Sequence, residues 1–169
     1  MTPSPVILPA REEDVPAIMA LLQRRIDWMD EKGLYQWNKT DYLTCYPPAH
    51  FQRLIREDLV FVAWAGGVLT GVMALLSRDP RWPNGDDGKA YYVHHLATAP
   101  GCPGLGKEML AYAEDFARER GKPFLRLDSQ KVNDTLSRYY EALGYLPAGE
   151  CVDGAYVGIL REKSLFPST

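Results

Sequence analysis

Residues 91–145 read YYVHHLATAPGCPGLGKEMLAYAEDFARERGKPFLRLDSQKVNDTLSRYYEALGY, and this stretch decides the fold. It opens with an apolar, β-rich run over Tyr91–Thr98, which predicts a buried strand, and passes through a Pro/Gly loop into a periodic helix. The spacing predicts that helix from about Gly104 to Arg120, with Leu105, Met109, Ala113, Phe116 and Ala117 on one face and Gly121 as its stop. A second strand is expected over Phe124–Asp128. Asn133 and Asp134 then offer capping side chains to a helix that carries Leu136, Tyr139, Tyr140 and Leu143 and closes at Gly144. A strand feeding a glycine-rich helix start is suited to anions, because the first amides of a helix lack internal partners and sit at its positive dipole end. Gly104 and Gly106 let backbone approach such an anion closely.

Two kinds of glycine loop fit this setting. Gly101 to Lys107 satisfies G-x-x-x-x-G-K, the start of a nucleotide-binding P-loop, but that loop needs Ser or Thr next to hold magnesium, and this chain has Glu108. The whole stretch instead resembles the GNAT superfamily of acyl-CoA-dependent N-acyltransferases. Its loop reads Arg/Gln-x-x-Gly-x-Gly/Ala after a strand, and its later helix carries Asn and then Tyr-Glu-x-x-Gly-Phe/Tyr. Here Gly104-Leu105-Gly106 supplies the loop core, and Asn133 with Tyr140-Glu141-Ala142-Leu143-Gly144-Tyr145 supplies the second signature. The wording YVHHLAT, LRLD and YYEALGY is similar to a bacterial branch reading Y-x-H-x-L-A-V and L-R-L-D-C. One departure stands out: Gly101, Cys102 and Pro103 occupy the places of the usual Arg or Gln and of the glycine and basic residue after it, and Lys107 is the nearby cation.

The resemblance implies an α/β, GNAT-like fold in one domain over residues 1–169, with a central mixed, mostly antiparallel sheet flanked by helices. It implies an N-acetyltransferase that moves an acetyl group from acetyl-CoA (coenzyme A as the carrier) to a primary amine of a small molecule or peptide. Leu96, Ala97 and Thr98 would meet the pantetheine arm and the thioester through backbone groups. The amides of Gly104, Leu105, Gly106 and Lys107 would hold the pyrophosphate, and Asn133 would contact the pantetheine or adenine side. Tyr140 matches the general acid, and His94 stands where a base stands in relatives that acylate arylalkylamines. A non-catalytic acyl-CoA-binding sensor or interaction domain remains an alternative on the Gly101 departure, and a P-loop phosphotransferase is a further one.

The residues by themselves support part of this chemistry. Strand alternation puts Tyr92, His94, Leu96 and Thr98 on one face and His95 on the other, where it reads as a hydrogen-bonded core or packing residue and competes for the base role only in a different register. An imidazole with an ordinary pKa near 6.5 suits taking a proton at neutral pH. A phenol near 10 lies not far above a thiol, so Tyr140 suits protonating a departing thiolate. A packed, hydrogen-bonded core side chain is the alternative reading of either residue.

At 169 residues, 24% charged and net charge −3, the chain has the profile of a globular protein with no basic stripe for nucleic acid. Neither a membrane-length apolar run nor a secretory leader is seen, so the expected place is the cytoplasm. Cys45, Cys102 and Cys151 lack disulfide or metal spacing, and no metal is expected. A homodimer suits such a domain, although no interface motif stands out.

In chain order, Val6–Leu8 predicts a short strand, and Asp14 a cap for a helix bearing Val15, Ile18, Met19, Leu22 and Ile26. The segment Gly33-Leu34-Tyr35-Gln36-Trp37-Asn38 with Tyr42 and Tyr46 clusters aromatics that either bind an amine or seal the core. A helix is expected over about Ala49–Asp58, and Gly66-Gly67 joins a hairpin of Leu59–Ala65 and Val68–Ser77. The loop Arg78–Gly88 enters just before Tyr91. Tyr35, Trp37 and Trp82 are the candidate acceptor contacts, and Asp86 and Asp87 read as solvated turn residues or as an attraction for an ammonium group. A final antiparallel pair is expected after Tyr145.

Overall fold

A computed structural model describes residues 4–166. Its strands form one seven-stranded sheet in the order β1-β2-β3-β4-β5-β7-β6, where β1 is Val6–Pro9, β2 Val60–Ala65, β3 Val68–Leu76, β4 Ala90–Thr98, β5 Phe124–Gln130, β6 Leu146–Asp153 and β7 Tyr156–Ser164. The β4–β5 pair is parallel, while β1–β2, β2–β3, β5–β7 and β6–β7 are antiparallel. The helices are α1 (Val15–Glu31), α2 (Tyr42–Cys45), α3 (Pro48–Arg56), α4 (Leu105–Glu119) and α5 (Asp134–Ala142). The described residues pack as two compact units: 4–75 with His95–Tyr112, and Leu76–His94 with 113–166.

In the first unit, Gly66 and Gly67 both have positive φ (57° and 78°), the conformation of a tight turn whose twist matches a hairpin. The hairpin β2–β3 is apolar on both faces. Gly71 of β3 explains how α4 can lie on it: a Cβ there would come 2.6 Å from Met109 Sδ. On α1 the buried stripe is Val15, Ile18, Leu22 and Met29 with Leu21 beside it, so Met19 and Ile26 lie at the margin rather than at the centre expected. Each fully buried aliphatic side chain contributes about 1.5–3 kcal/mol of transfer free energy. Asp14 precedes α1 but does not cap it by its side chain. Its carboxylate accepts the Arg11 amide at 2.8 Å across a short 3-10 turn, Glu12–Asp14, that the sequence pattern did not announce.

The second unit packs β5, β7 and β6 around Leu125, Leu127 and Leu160. The β5–β7 ladder runs from Phe124↔Ser164 to Gln130↔Gly158, and the parallel β4–β5 ladder is short, Ala90↔Phe124 to Tyr92↔Arg126. Arg126 of β5 is 2% exposed, and its charge is met by Glu162 at 2.8 Å, Asp87 at 3.2 Å and the Tyr92 hydroxyl at 2.7 Å. Burial alone would lower its pKa, but these partners raise it above the ordinary arginine value. Asp87 is an exposed turn residue, its Oδ1 accepting the Lys89 amide at 2.9 Å, and it is also a partner of a buried guanidinium, bridging the Arg78–Gly88 loop to the sheet.

Strand alternation through β4 also needs correction. His95 adopts φ +57°, a left-handed conformation that L-residues seldom take inside a strand. The alternation therefore holds through His94 and breaks at the next residue, so Tyr92, His94, Leu96 and Thr98 do not form one uninterrupted row.

Candidate functional site

In the second unit the loop ahead of β4 folds back on itself. The Asp79 amide donates to the Gly85 carbonyl at 2.9 Å, and the Trp82 amide donates to the Asp79 carbonyl at 3.2 Å. This closure requires glycine at 85, because a Cβ there would lie 1.7 Å from the Asp79 carbonyl oxygen. The closed loop buries the Asp79 side chain to 4% exposure and presents it to β4, where Oδ2 lies 2.7 Å from His94 Nε2. Oδ1 accepts the Arg81 amide at 2.9 Å. Burial by itself would raise the Asp79 pKa, but the hydrogen bond and charge of His94, followed by the Arg81 amide and charge, overcome it and hold the carboxyl below its ordinary range.

Asp128 of β5 is part of the same cluster. It accepts the Tyr156 hydroxyl at 2.6 Å and Arg81 Nη1 at 3.4 Å, while Arg81 Nη2 reaches Asp153 at 2.9 Å. Asp79, His94 and Asp128 each offer a donor atom within 4.8 Å of the others, a spacing that could hold a cation. The guanidinium and the phenol, both on Asp128 Oδ2, argue for a hydrogen-bonded array instead.

On α5, Asn133 is the N-cap, its Oδ1 accepting the Leu136 amide at 3.0 Å. The helix ends with Gly144 at φ +94° and the Tyr145 amide bonded back to the Tyr140 carbonyl at 2.9 Å, the six-to-one closure that a glycine in the left-handed region permits. That closure fixes Tyr140 relative to Tyr145, whose ring stands edge-on at 6.1 Å. Burial, with the charges of Tyr139 and Asp128 adding to it, raises the Tyr140 phenol above its ordinary value, so it is a neutral hydroxyl at physiological pH. Tyr145 is buried and donates to Glu114 at 2.8 Å, which Lys163 also meets at 3.0 Å.

In the first unit, the loop between β4 and α4 turns at Gly101 and Gly104, with φ of +88° and +83° and open space where a Cβ would project. Leu105 and Glu108 amides are bonded to the Cys102 and Gly104 carbonyls, at 3.3 and 3.1 Å. Gly106 and Lys107 stand in the first turn, where helix geometry supplies their amides no acceptor. His95 is a hydrogen-bonded packing residue. Its Nδ1 contacts the Tyr42 hydroxyl, its Nε2 lies 3.0 Å from His50 Nε2, and Tyr46 and Phe51 stack edge-on within 5.1 Å. Trp37 joins this cluster through Tyr42 at 4.6 Å, whereas Tyr35 is 66% exposed.

Trp82, expected among acceptor contacts, is 5% exposed and packed with Ala90, Tyr92, Cys151 and Leu160 in the second unit. An acceptor would meet it only by opening that core. Asp79, conversely, drew no notice in the sequence, where Asp79-Pro80 reads merely as turn punctuation. The usable signal was an acidic residue opening a loop that ends at a strand carrying a histidine.

The family model for the acetyltransferase (GNAT) family matches residues 20–145. An uncharacterized N-acetyltransferase, YesJ, of Bacillus subtilis (strain 168) is 30% identical over 156 residues, covering 88% of this chain and 86% of that protein. Among solved structures, a GNAT-family acetyltransferase from Listeria monocytogenes superposes with a TM-score of 0.78 at 25% identity, covering 95% of this chain and 94% of that one. The PaiA N-acetyltransferase of Thermoplasma acidophilum, solved with coenzyme A, gives 0.75 at 19% identity over 95% and 99%. With the strand, glycine loop and capped α5 in the order that the family signatures require, and with the family model spanning most of the length, this chain belongs to the GNAT acetyltransferases, enzymes that depend on acyl-CoA.

Proposed function

We propose that this protein transfers the acetyl group of acetyl-CoA to a primary amine by direct attack of the amine on the thioester. The observation that carries the reading is the ordered pair of family signatures on the elements that suit them: a positive-φ glycine loop opening α4, and an Asn-capped helix ending in Tyr140–Gly144. The structures of coenzyme A and acetyl-CoA complexes in related folds support the choice of cofactor.

In this reading the amides of Gly104, Gly106 and Lys107 at the start of α4 hold the pyrophosphate, the Leu105 amide being bonded to the Cys102 carbonyl, with Lys107 adding charge that Gly101 cannot. Leu96, Ala97 and Thr98 meet the pantetheine arm and the thioester carbonyl through backbone groups, and Asn133 contributes its Nδ2, since Oδ1 serves the cap and its backbone groups are bonded to Gln130 and Ser137. The acceptor binds as an ammonium ion and gives one proton to His94, directly or through water. Its lone pair then attacks the carbonyl carbon, the C–S bond breaks, and the amine's second proton replaces the one that Tyr140 gives to the thiolate. The products are an acetamide, free thiol and one proton released from His94 to solvent. Tyr35 and Trp37 serve as acceptor contacts through ring faces that attract cations, whereas the buried Trp82 does not.

Calorimetry with acetyl-CoA, with ATP and magnesium as the control, is the first test. Micromolar binding of acetyl-CoA alone, followed by thiol release over a panel of aryl amines, polyamines, amino acids and peptides, supports the reading. Silence with acetyl-CoA refutes it and points to a cofactor loop disabled at Gly101-Cys102-Pro103.

A further inference from the structure

We infer that Asp79 is a positioning residue for His94: its buried carboxylate holds the imidazole as the Nε2–H tautomer, so that Nδ1 is the atom that takes the amine's proton. The inference rests on His94 being the base in the reaction proposed above.

A carboxylate at 4% exposure is expensive to bury unless donors meet it. Here the Asp79 side chain meets the Arg81 amide on Oδ1 and His94 Nε2 on Oδ2. An Asp that only closed a turn would need the first alone. The second is a 2.7 Å contact between elements, made across 15 residues, and the loop is shaped to deliver it: Gly85 lets the chain pass against the Asp79 carbonyl, and Asp87 is clamped by Arg126. The carboxyl is held below its ordinary range, so at neutral pH it is ionised and can only accept. His94 Nε2 must then carry the hydrogen. In a neutral imidazole that leaves the lone pair on Nδ1, and when Nδ1 takes a proton the resulting cation lies 2.7 Å from a fixed negative charge. No proton passes to Asp79 in this scheme. It orients the ring and stabilises the charged form through the Nε2–H bond, and the proton on Nδ1 later leaves to solvent.

The same three side chains, Asp79, His94 and Asp128, would suit a cation, and the metal reading predicts something different of Nε2: it would be deprotonated and ligating. The two are separable by experiment.

Nitrogen-15 imidazole spectra of the wild-type protein, with the His94 signals identified by their loss in His94→Gln, read the tautomer without any turnover. Nε2–H is expected; Nδ1–H overturns the inference whatever the activity. In parallel, Asp79→Asn is expected to lower kcat by roughly ten- to a hundred-fold, a share of the usual worth of a general base, with KM for acetyl-CoA unchanged and the His94 tautomer mixed or inverted. If Asp79→Asn folds and keeps both kcat and tautomer, Asp79 is structural only and the inference fails. If Zn²⁺ alone binds the wild type and neither Asp79→Asn nor Asp128→Asn, the cluster is a metal site and the inference fails. A wild type with the expected tautomer that turns over no amine refutes the proposed reaction, and the positioning role with it, while leaving the Asp79–His94 contact intact.

Discussion

Arg126→Met separates the work of a buried charge from that of the surface around it. Methionine is similar in length and unbranched, so it fills most of the guanidinium's space, and what is lost is a set of bonds: one to Glu162 at 2.8 Å, two to Asp87 at 3.2 Å and one to the Tyr92 hydroxyl at 2.7 Å. Breaking one side of a buried ion pair costs about 3–5 kcal/mol, mostly from the partners left unpaired. The carboxylates here are partly wet, Asp87 at 22% and Glu162 at 28% exposure, so the lower end, about 3 kcal/mol, is the expected loss. Urea denaturation reads it directly. The companion variant Asp87→Asn removes one of the stranded charges, and the double variant should be less destabilised than the sum by about 1–2 kcal/mol, because the two residues share one network. Activity should fall further than folding explains, since Asp87 anchors the loop that aims Asp79. A loss below about 1 kcal/mol, or strict additivity with Asp87→Asn, would refute the assignment of Arg126 as the charge that pins this loop.

Tyr140→Phe keeps the ring packed against Tyr145 and removes only the proton donor, so kcat should drop about 10²–10³-fold with acetyl-CoA binding unchanged by calorimetry. Because burial raises the phenol above about 10, the wild-type rate should show no alkaline fall from this group below that pH. Gly104→Ala meets open space but forces φ +83° on an L-residue, a backbone cost of about 1–2 kcal/mol that should appear as a lower Tm and weaker acetyl-CoA binding. Acid stability follows from Asp79: a carboxyl whose folded pKa lies below its unfolded value stabilises the fold above about pH 4, and that contribution disappears as pH falls through the folded value. Asp79→Asn should therefore flatten the fall in urea midpoint between about pH 5 and pH 2, and an unchanged slope would contradict the buried ionised state.

Much of this was legible in the sequence because the responsible forces are local. Gly66-Gly67 fixed a hairpin, Asn133 and Gly144 bracketed a helix, and the 3.6-residue period of α4 identified Leu105, Met109, Ala113 and Ala117 as its buried stripe. What escaped was decided by contacts between distant residues. Asp14 turned to the Arg11 amide rather than to its helix, Asp87 met a guanidinium 39 residues away, and His95 left the strand's alternation to reach Tyr42 and His50. Trp82 looked like a loop aromatic open to ligand and became core, because its loop folds inward on Asp79 and Gly85.

The LRLD wording carries a consequence that neither periodicity nor propensity contains. In an ordinary buried strand, Arg126 and Asp128 would be liabilities, each needing partners that a hydrophobic residue would not. Here Arg126 is satisfied by Asp87 and Glu162, and Asp128 by Tyr156 and Arg81. Both loop partners, Arg81 and Asp87, lie on the Arg78–Gly88 segment, on either side of Gly85. The strand therefore grips the loop at two points, in the arrangement that also buries Asp79. A pair of buried charges is a poor way to gain stability over apolar packing. It is an effective way to specify one loop conformation among many, and in this chain the conformation so specified is the one that sets a carboxylate 2.7 Å from His94.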